Sequence, residues 1–299
     1  MTWTEPELLS VPVDGGELIV GRWGSGATPV LASHGITANH RSFAEVAEQL
    51  RANGADVSLF AVDHRGRGGS SSLPGPYGLE AHARDLVAVA DHLDITEMVL
   101  VGHSMGAYVV ACAAEIASAR VRGVVLIDGA LPIPLSLPED ADIEEVVRSV
   151  IGPALDRLDA TFASPEEYVE MWQAHPAVGG DYFSDVAEAY VRYDLEPDGE
   201  RWRSPVNKAA VLEDGKSVMI DEGPRTAVAR LGVATTLLWA PRGLLDDEPG
   251  LFPREVIDEV VPTLPHVDAK LVEDTNHYSL VLTPRGAGAV AGAIIDHLG

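Results

Sequence analysis

The sequence predicts an α/β protein: a mostly parallel central sheet with helices on both faces, interrupted by a helical insertion after the sixth strand. Three observations carry this reading. Short runs that are apolar throughout, such as Val57–Val62 and Val121–Ile127, alternate with segments of helical spacing, and strands apolar on both faces belong to a sheet covered on both sides. The alternation lapses between about Leu131 and Arg230 and then resumes. The 299 residues, 46% of them hydrophobic, can bury a large core without disulfides or metal staples.

The elements follow in order. Two apolar runs flank Asp14-Gly15-Gly16, the pattern of a β-hairpin. Pro29–Ser33 is a short strand ending at His34-Gly35. Ser42–Ala52 has apolar residues at helical spacing, and Gly54 is its stop. Val57–Val62 is a strand closed by Asp63 and a glycine-rich loop, and Leu79–Leu93 reads as a helix. Met98–Val101 is a strand, Met105–Ala119 an alanine-rich helix, and Val121–Ile127 a strand ending at Asp128. Past the break come strand Val233–Trp239, helix Pro253–Val261, strand Val267–Val272 and helix Ala287–His297. The break holds helical segments such as Ile143–Ile151 and Pro165–Gln173, with Pro132, Pro134 and Pro138 at its entrance. Residues 1–131 and 227–299 are thus expected to form one core, with 132–226 as a cap or lid.

Composition narrows the function. The formal charge of −25 argues against a nucleic-acid binder, which needs basic side chains to displace counterions. It argues equally against docking on anionic membranes. The single cysteine, Cys112, allows no intrachain disulfide and no zinc-finger site. The first residues carry Glu5, Glu7 and Asp14 rather than the basic and apolar regions of a signal peptide. No run reaches the roughly 18 apolar residues of a membrane span. A cytoplasmic, soluble protein is the expectation.

The most informative segment is Met98–Gly106. An apolar strand runs directly into Gly102-His103-Ser104-Met105-Gly106, and a helix starts at once. This is G-x-S-x-G in the strand–turn–helix setting that its chemistry requires. The serine must sit on a sharp, strained turn so that its hydroxyl stands above the sheet, and the flanking positions must be small where strand and helix cross. The new helix also aims free N–H groups at the site. By contrast, the glycine-rich loop Asp63–Ser70 lacks the G-K-S/T of a P-loop. No G-x-G-x-x-G opens the first strand–helix unit, which disfavours a nicotinamide dehydrogenase.

With His34-Gly35, Asp63-His64-Arg65-Gly66-Arg67-Gly68-Gly69-Ser70, Gly102–Gly106 and Asn276-His277, the chain resembles the α/β-hydrolase superfamily, in its capped serine-esterase branch of carboxylesterases and lipases. Ala107 stands where many relatives have a second glycine. The resemblance implies a Ser-His-Asp triad, with Ser104 as nucleophile and His277, just after the last strand, as base. His34 and His103 belong to the oxyanion and elbow motifs and are expected to orient backbone. The acid is expected in the loop after Val233–Trp239, which offers Asp246, Asp247 and Glu248. Asp246 is the favoured residue and Asp247 the alternative. Some relatives carry the acid at the position of Asp128, which on the residues alone reads as a turn or capping carboxylate. The oxyanion donors are expected to be the N–H groups of Met105 and Ile36. Asp63 is expected to cap backbone N–H groups, and Cys112 to be a buried, inert thiol.

The insertion concentrates the charge: residues 133–225 hold 21 acidic and 8 basic side chains. Most of its aromatics, among them Phe162, Tyr168, Trp172, Tyr182 and Tyr190, are expected to pack the cap, and a few to line a pocket. An acidic lid weakly disfavours anionic substrates. The expected function is cofactor-free and metal-free hydrolysis of neutral, apolar, small to medium carboxylic esters or lactones. The alternatives are a same-triad carbon–carbon bond hydrolase, a perhydrolase or haloperoxidase, a hydroxynitrile lyase, or a ligand-sensing receptor with vestigial turnover.

Overall fold

The computed structural model describes residues 5–133 and 142–299. Its strands are β1 (Glu7–Val13), β2 (Gly16–Trp23), β3 (Thr28–Ser33), β4 (Val57–Val62), β5 (Met98–His103), β6 (Val121–Ile127), β7 (Glu196–Asp198), β8 (Arg201–Arg203), β9 (Thr235–Trp239) and β10 (Val267–Leu271). Its helices are α1 (Ala44–Ala52), α2 (Leu79–His92), α3 (Met105–Ile116), α4 (Ile143–Asp159), α5 (Pro165–Gln173), α6 (Asp185–Tyr193), α7 (Lys208–Met219), α8 (Glu222–Thr226), α9 (Arg254–Val260), α10 (Ser279–Leu282) and α11 (Pro284–Asp296). Eight strands form one sheet in the order β1-β2-β4-β3-β5-β6-β9-β10. The β1–β2 and β2–β4 pairs are antiparallel, and every other pair is parallel. Among the described residues no helix is long and apolar enough to cross a membrane.

Strand alternation divides the interior. Leu31, Leu100, Val124 and Leu126 face one core, shared with α2 and α3. Val30, Ala32, Val99, Val101 and Val125 face the other, shared with α1 and α11. Each fully buried side chain of this size contributes about 1.5–3 kcal/mol of transfer free energy. Hydrophobic runs without polar alternation are therefore what a two-sided sheet demands. From β3 the chain turns outward to β4 and then returns past β3 to β5. The carboxyl ends of β3 and β5 thus form a switch point, where sheets of this kind leave a crevice.

The region between β6 and β9 holds α4–α8, as its spacing predicts, and also a ribbon of β7 and β8. Those three-residue strands are too short to show a period. Their closure relies on Gly199 (φ 62°) and an Arg203–Glu196 ion pair of 2.8 Å. The expected helix Ile143–Ile151 continues to Asp159, but with non-helical backbone at Ile151, two residues before Pro153. Proline lacks the amide and crowds the preceding turn, so it bends rather than ends the helix. Pro134 and Pro138 lie outside the described residues.

Buried charges fasten the insertion to the core. Asp214 of α7 accepts from the Gly78 amide (2.6 Å), faces His82 (2.8 Å) and pairs with Arg67 (2.5 Å). Tyr193 of α6 donates to Asp63 at 2.8 Å, and the Asn207 amide donates to Gly66 O at 2.8 Å. Asp63 itself caps the amides of His40 (2.7 Å) and Gly69 (2.8 Å). Burial pushes the Asp63 carboxyl upward, but the His40 charge and hydrogen bonds outweigh it and hold the group down at about 2.

A carboxyl depressed on folding, from 3.8 to about 2, contributes stability that is full above its unfolded value. That stability is lost as pH falls through the folded one. Asp63→Asn is therefore expected to lower unfolding free energy near neutral pH by about 2 kcal/mol. It should also flatten the pH dependence of stability between about 4 and 2. Urea unfolding of both proteins across that window checks it.

Candidate active site

The elbow is built by close packing. Ser104 has φ 57° and ψ −122°, a region that costs a non-glycine residue of order 1–3 kcal/mol. The surroundings hold it there. Its amide donates to Ile127 O at 2.8 Å, and its carbonyl accepts from Ala107 at 3.0 Å. A side chain at Gly106 would overlap the Ser33 carbonyl, and one at Gly102 would overlap Gly106 itself. The small face of α3, with Ala107, Ala111 and Ala114 all buried, lets the helix lie against β3, β5 and β6. The strand therefore delivers Ser104 to the crevice above β3 and β5, only half-buried.

Ser104 and His277 line the same cavity, of about 490 Å³, between the sheet and the insertion. His277 lies beyond β10 and before α10. Its amide donates to Arg242 O at 3.1 Å, and its carbonyl accepts from His103 Nε2 at 2.9 Å. Burial, then the nearby His277, push the His103 imidazole well below the usual histidine range. His103 is thus a neutral ring that fixes the backbone of His277. His34 plays a similar part on the other side. Its Nε2 accepts from the His64 amide (3.1 Å), so its Nδ1–H donates to Gly35 O (2.7 Å). Burial lowers its titration to about 4.

The carboxylate that the structure brings to His277 is neither Asp246 nor Asp247, the two expected. His277 Nδ1 meets Asp128 Oδ2 at 2.7 Å, and the Asp128 side chain is fully buried. Asp246 does not reach His277. Its loop makes an extra turn, with Gly243 N to Asp247 O (2.8 Å) and Asp246 N to Gly243 O (3.3 Å). Its carboxylate then pairs with Arg242 Nε (3.0 Å) and accepts from Asn276 Nδ2 (2.8 Å). Asp247, the alternative, is exposed at the cavity rim and makes no bond to His277. Asp128 leaves β6 with φ 46°, and its amide donates to Leu238 O at 2.8 Å. That turn aims the carboxylate back across the sheet edge at the imidazole. Two features of the sequence are explained by this geometry. Arg242 stands four residues before Asp246 and satisfies it. Gly129 follows Asp128 because a side chain there would overlap the Ser104 carbonyl.

The Ile36 and Met105 residues flank Ser104 along the cavity wall. Among the described residues neither of their amides is taken up by a backbone acceptor. Two free donors beside a nucleophile are what a developing oxyanion requires. Cys112, two turns along α3, is buried, and its thiol is pushed up to about 12 by burial.

A family model for the alpha/beta hydrolase fold matches residues 28–283. The chain belongs to this family. Within the α/β-hydrolase fold, lipase LipV of Mycobacterium tuberculosis (strain ATCC 25618 / H37Rv) is 31% identical over 160 residues, 52% of this chain and 56% of that protein. A non-heme haloperoxidase of Rhodococcus erythropolis is 34% identical over 132 residues, 44% of this chain and 46% of that protein. The chain spans about half the length of these curated relatives. Among solved structures, E-2-(acetamidomethylene)succinate hydrolase superposes with a TM-score of 0.75 at 22% identity, over 97% of this chain and 100% of that one. That likeness is one of fold.

Removing a carboxylate that orients and stabilises the imidazolium typically costs about 10⁴ in turnover. Asp128→Asn is expected to lose that much, and Asp246→Asn less than about tenfold. Parallel steady-state kinetics on one activated ester check both. The opposite ranking would restore Asp246 as the acid.

Proposed function

We propose that this chain is a serine hydrolase of neutral carboxylic esters or lactones with small to medium apolar acyl groups. The observation that carries the proposal is the 2.7 Å bond from His277 to buried Asp128, in a cavity that also holds the strained Ser104. A serine hydroxyl becomes an effective nucleophile only when a positioned base accepts its proton. Ser104 attacks the acyl carbon while the free nitrogen of His277 takes the proton, and Asp128 stabilises the imidazolium. The Met105 and Ile36 amides hold the oxyanion. His277 then protonates the departing alcohol, and water removes the acyl group by the same route.

The cavity wall supports an apolar acyl group, with Met171, Val218, Met219 and Leu251 among its lining. The acidic surplus of residues 133–225 works against anions approaching from outside. The similarity to a non-heme haloperoxidase supports a second reading, in which the acyl group passes to hydrogen peroxide instead of water and leaves as a peracid.

A p-nitrophenyl ester series from acetyl to octanoyl tests the proposal. Wild-type protein is expected to turn it over, and Ser104→Ala to lose about 10⁴-fold or more. A carboxylate-bearing ester should be slower than its neutral isostere at low salt. Undiminished turnover in Ser104→Ala ends the proposal. Faster acyl transfer to peroxide than to water selects the second reading.

A further inference from the structure

One part of the cavity wall is not apolar. Arg157, on α4, is buried yet lines the cavity, with its guanidinium 5.3 Å above the Trp172 ring. Its Nη1 donates to the Tyr168 hydroxyl (2.6 Å) and to Asp194. Asp194 is itself saturated by Tyr168 (2.5 Å) and Ser204 (2.9 Å). Tyr190 and Tyr278 line the same cavity, each with its ring centroid 6.3 Å from that of Trp172. Among the described residues, Arg157 Nε and Nη2 and the Tyr190 and Tyr278 hydroxyls have no hydrogen-bond partner, nor are they sealed orphans of the interior. Tyr278 also stands edge-on to His277, with centroids 5.5 Å apart. The polar patch is thus one aromatic ring removed from the proposed base.

Every group in this patch can donate, and Arg157 can only donate. Burial raises the titration of both tyrosines, so their hydroxyls stay protonated. The Arg157 charge is already matched by Asp194 in a buried pair. A bound carboxylate would add a second anion beside Asp194, whereas an uncharged oxygen leaves the patch neutral and fills the open donors.

Resting on the ester-hydrolase reading above, we propose that Arg157, Tyr190 and Tyr278 form a subsite for an uncharged hydrogen-bond acceptor. The favoured substrate is then an apolar acyl ester bearing a ketone or similar carbonyl oxygen along its chain. A plain alkyl chain would leave these buried donors unpaired, and a site built to bond a polar group discriminates strongly against analogues that lack it.

The test compares p-nitrophenyl octanoate, oxo-octanoates with the ketone moved from mid-chain to the end, and the half-ester ending in a carboxylate. Binding to Ser104→Ala is measured by calorimetry and kcat/KM on wild type. At least one oxo-ester is expected to exceed octanoate by about tenfold or more in both readouts. That ratio should fall towards unity in Tyr190→Phe/Tyr278→Phe, which removes only hydroxyls and spares the Arg157–Asp194 pair. No preference in either readout, an unchanged ratio in the double variant, or a preference for the carboxylate over every oxo-ester would overturn the subsite. Selective binding to Ser104→Ala without any Ser104-dependent turnover would instead overturn the ester-hydrolase reading and leave the subsite standing.

Discussion

The close passage of α3 across β3 and β5 is the constraint on which the site depends. Glycines at 102, 106 and 129 leave no room for side chains, because the backbones of Ser33, Ser104 and Gly106 occupy that space. This packing forces Ser104 into a backbone region that a serine would not adopt alone. It also brings β6 so near that Ile127 accepts the Ser104 amide. The next residue, Asp128, then lies within reach of the loop that carries His277. Ser104 and Asp128 are therefore coupled through one strand pair rather than assembled from independent loops.

A second level of order comes from buried polar contacts around Ser104, His277 and Asp128. His103 and His34, both held neutral by burial, tie the backbones of His277 and Gly35. Asp63 and Asp214 do the same between core and insertion, each satisfied by several donors. A buried charge with one partner removed is costly. These contacts add fixed directions to the apolar packing of Val147, Tyr168, Trp172 and Val211, which holds the insertion on the core. The dense acidic surface of the insertion is a separate matter: most of those carboxylates are solvated, whereas buried Asp214 ties the insertion to the core and buried Asp194 ties α4, α5 and α6 to one another.

Much of this was legible in the sequence. Runs such as Val57–Val62 carry the signature of a sheet covered on both faces, and Gly102–Gly106 carries the geometry of the elbow in its residue types. The resemblance marked His277 by its place after the last strand, and the structure sets it on the same cavity as Ser104. The carboxylate that bonds to His277 was not legible, because three adjacent carboxylates after β9 look equivalent in a string of letters. What separates them is local chain geometry: an extra turn that gives Asp246 to Arg242 and Asn276. The β7–β8 ribbon was invisible for a different reason, since three residues cannot display a period. Likewise the open donors of Arg157, Tyr190 and Tyr278 emerge only from folding, as they come from three separate segments.

The bond between His277 and Asp128 is the contact through which the cavity would act on a substrate. Its most direct measurement is the proton NMR spectrum of the folded protein in the far-downfield region, where an imidazole N–H bonded to a buried carboxylate resonates. Such a signal is expected in wild type and in Asp246→Asn, and is expected to be lost in Asp128→Asn and His277→Ala. A signal that survives Asp128→Asn and disappears in Asp246→Asn would contradict that bond.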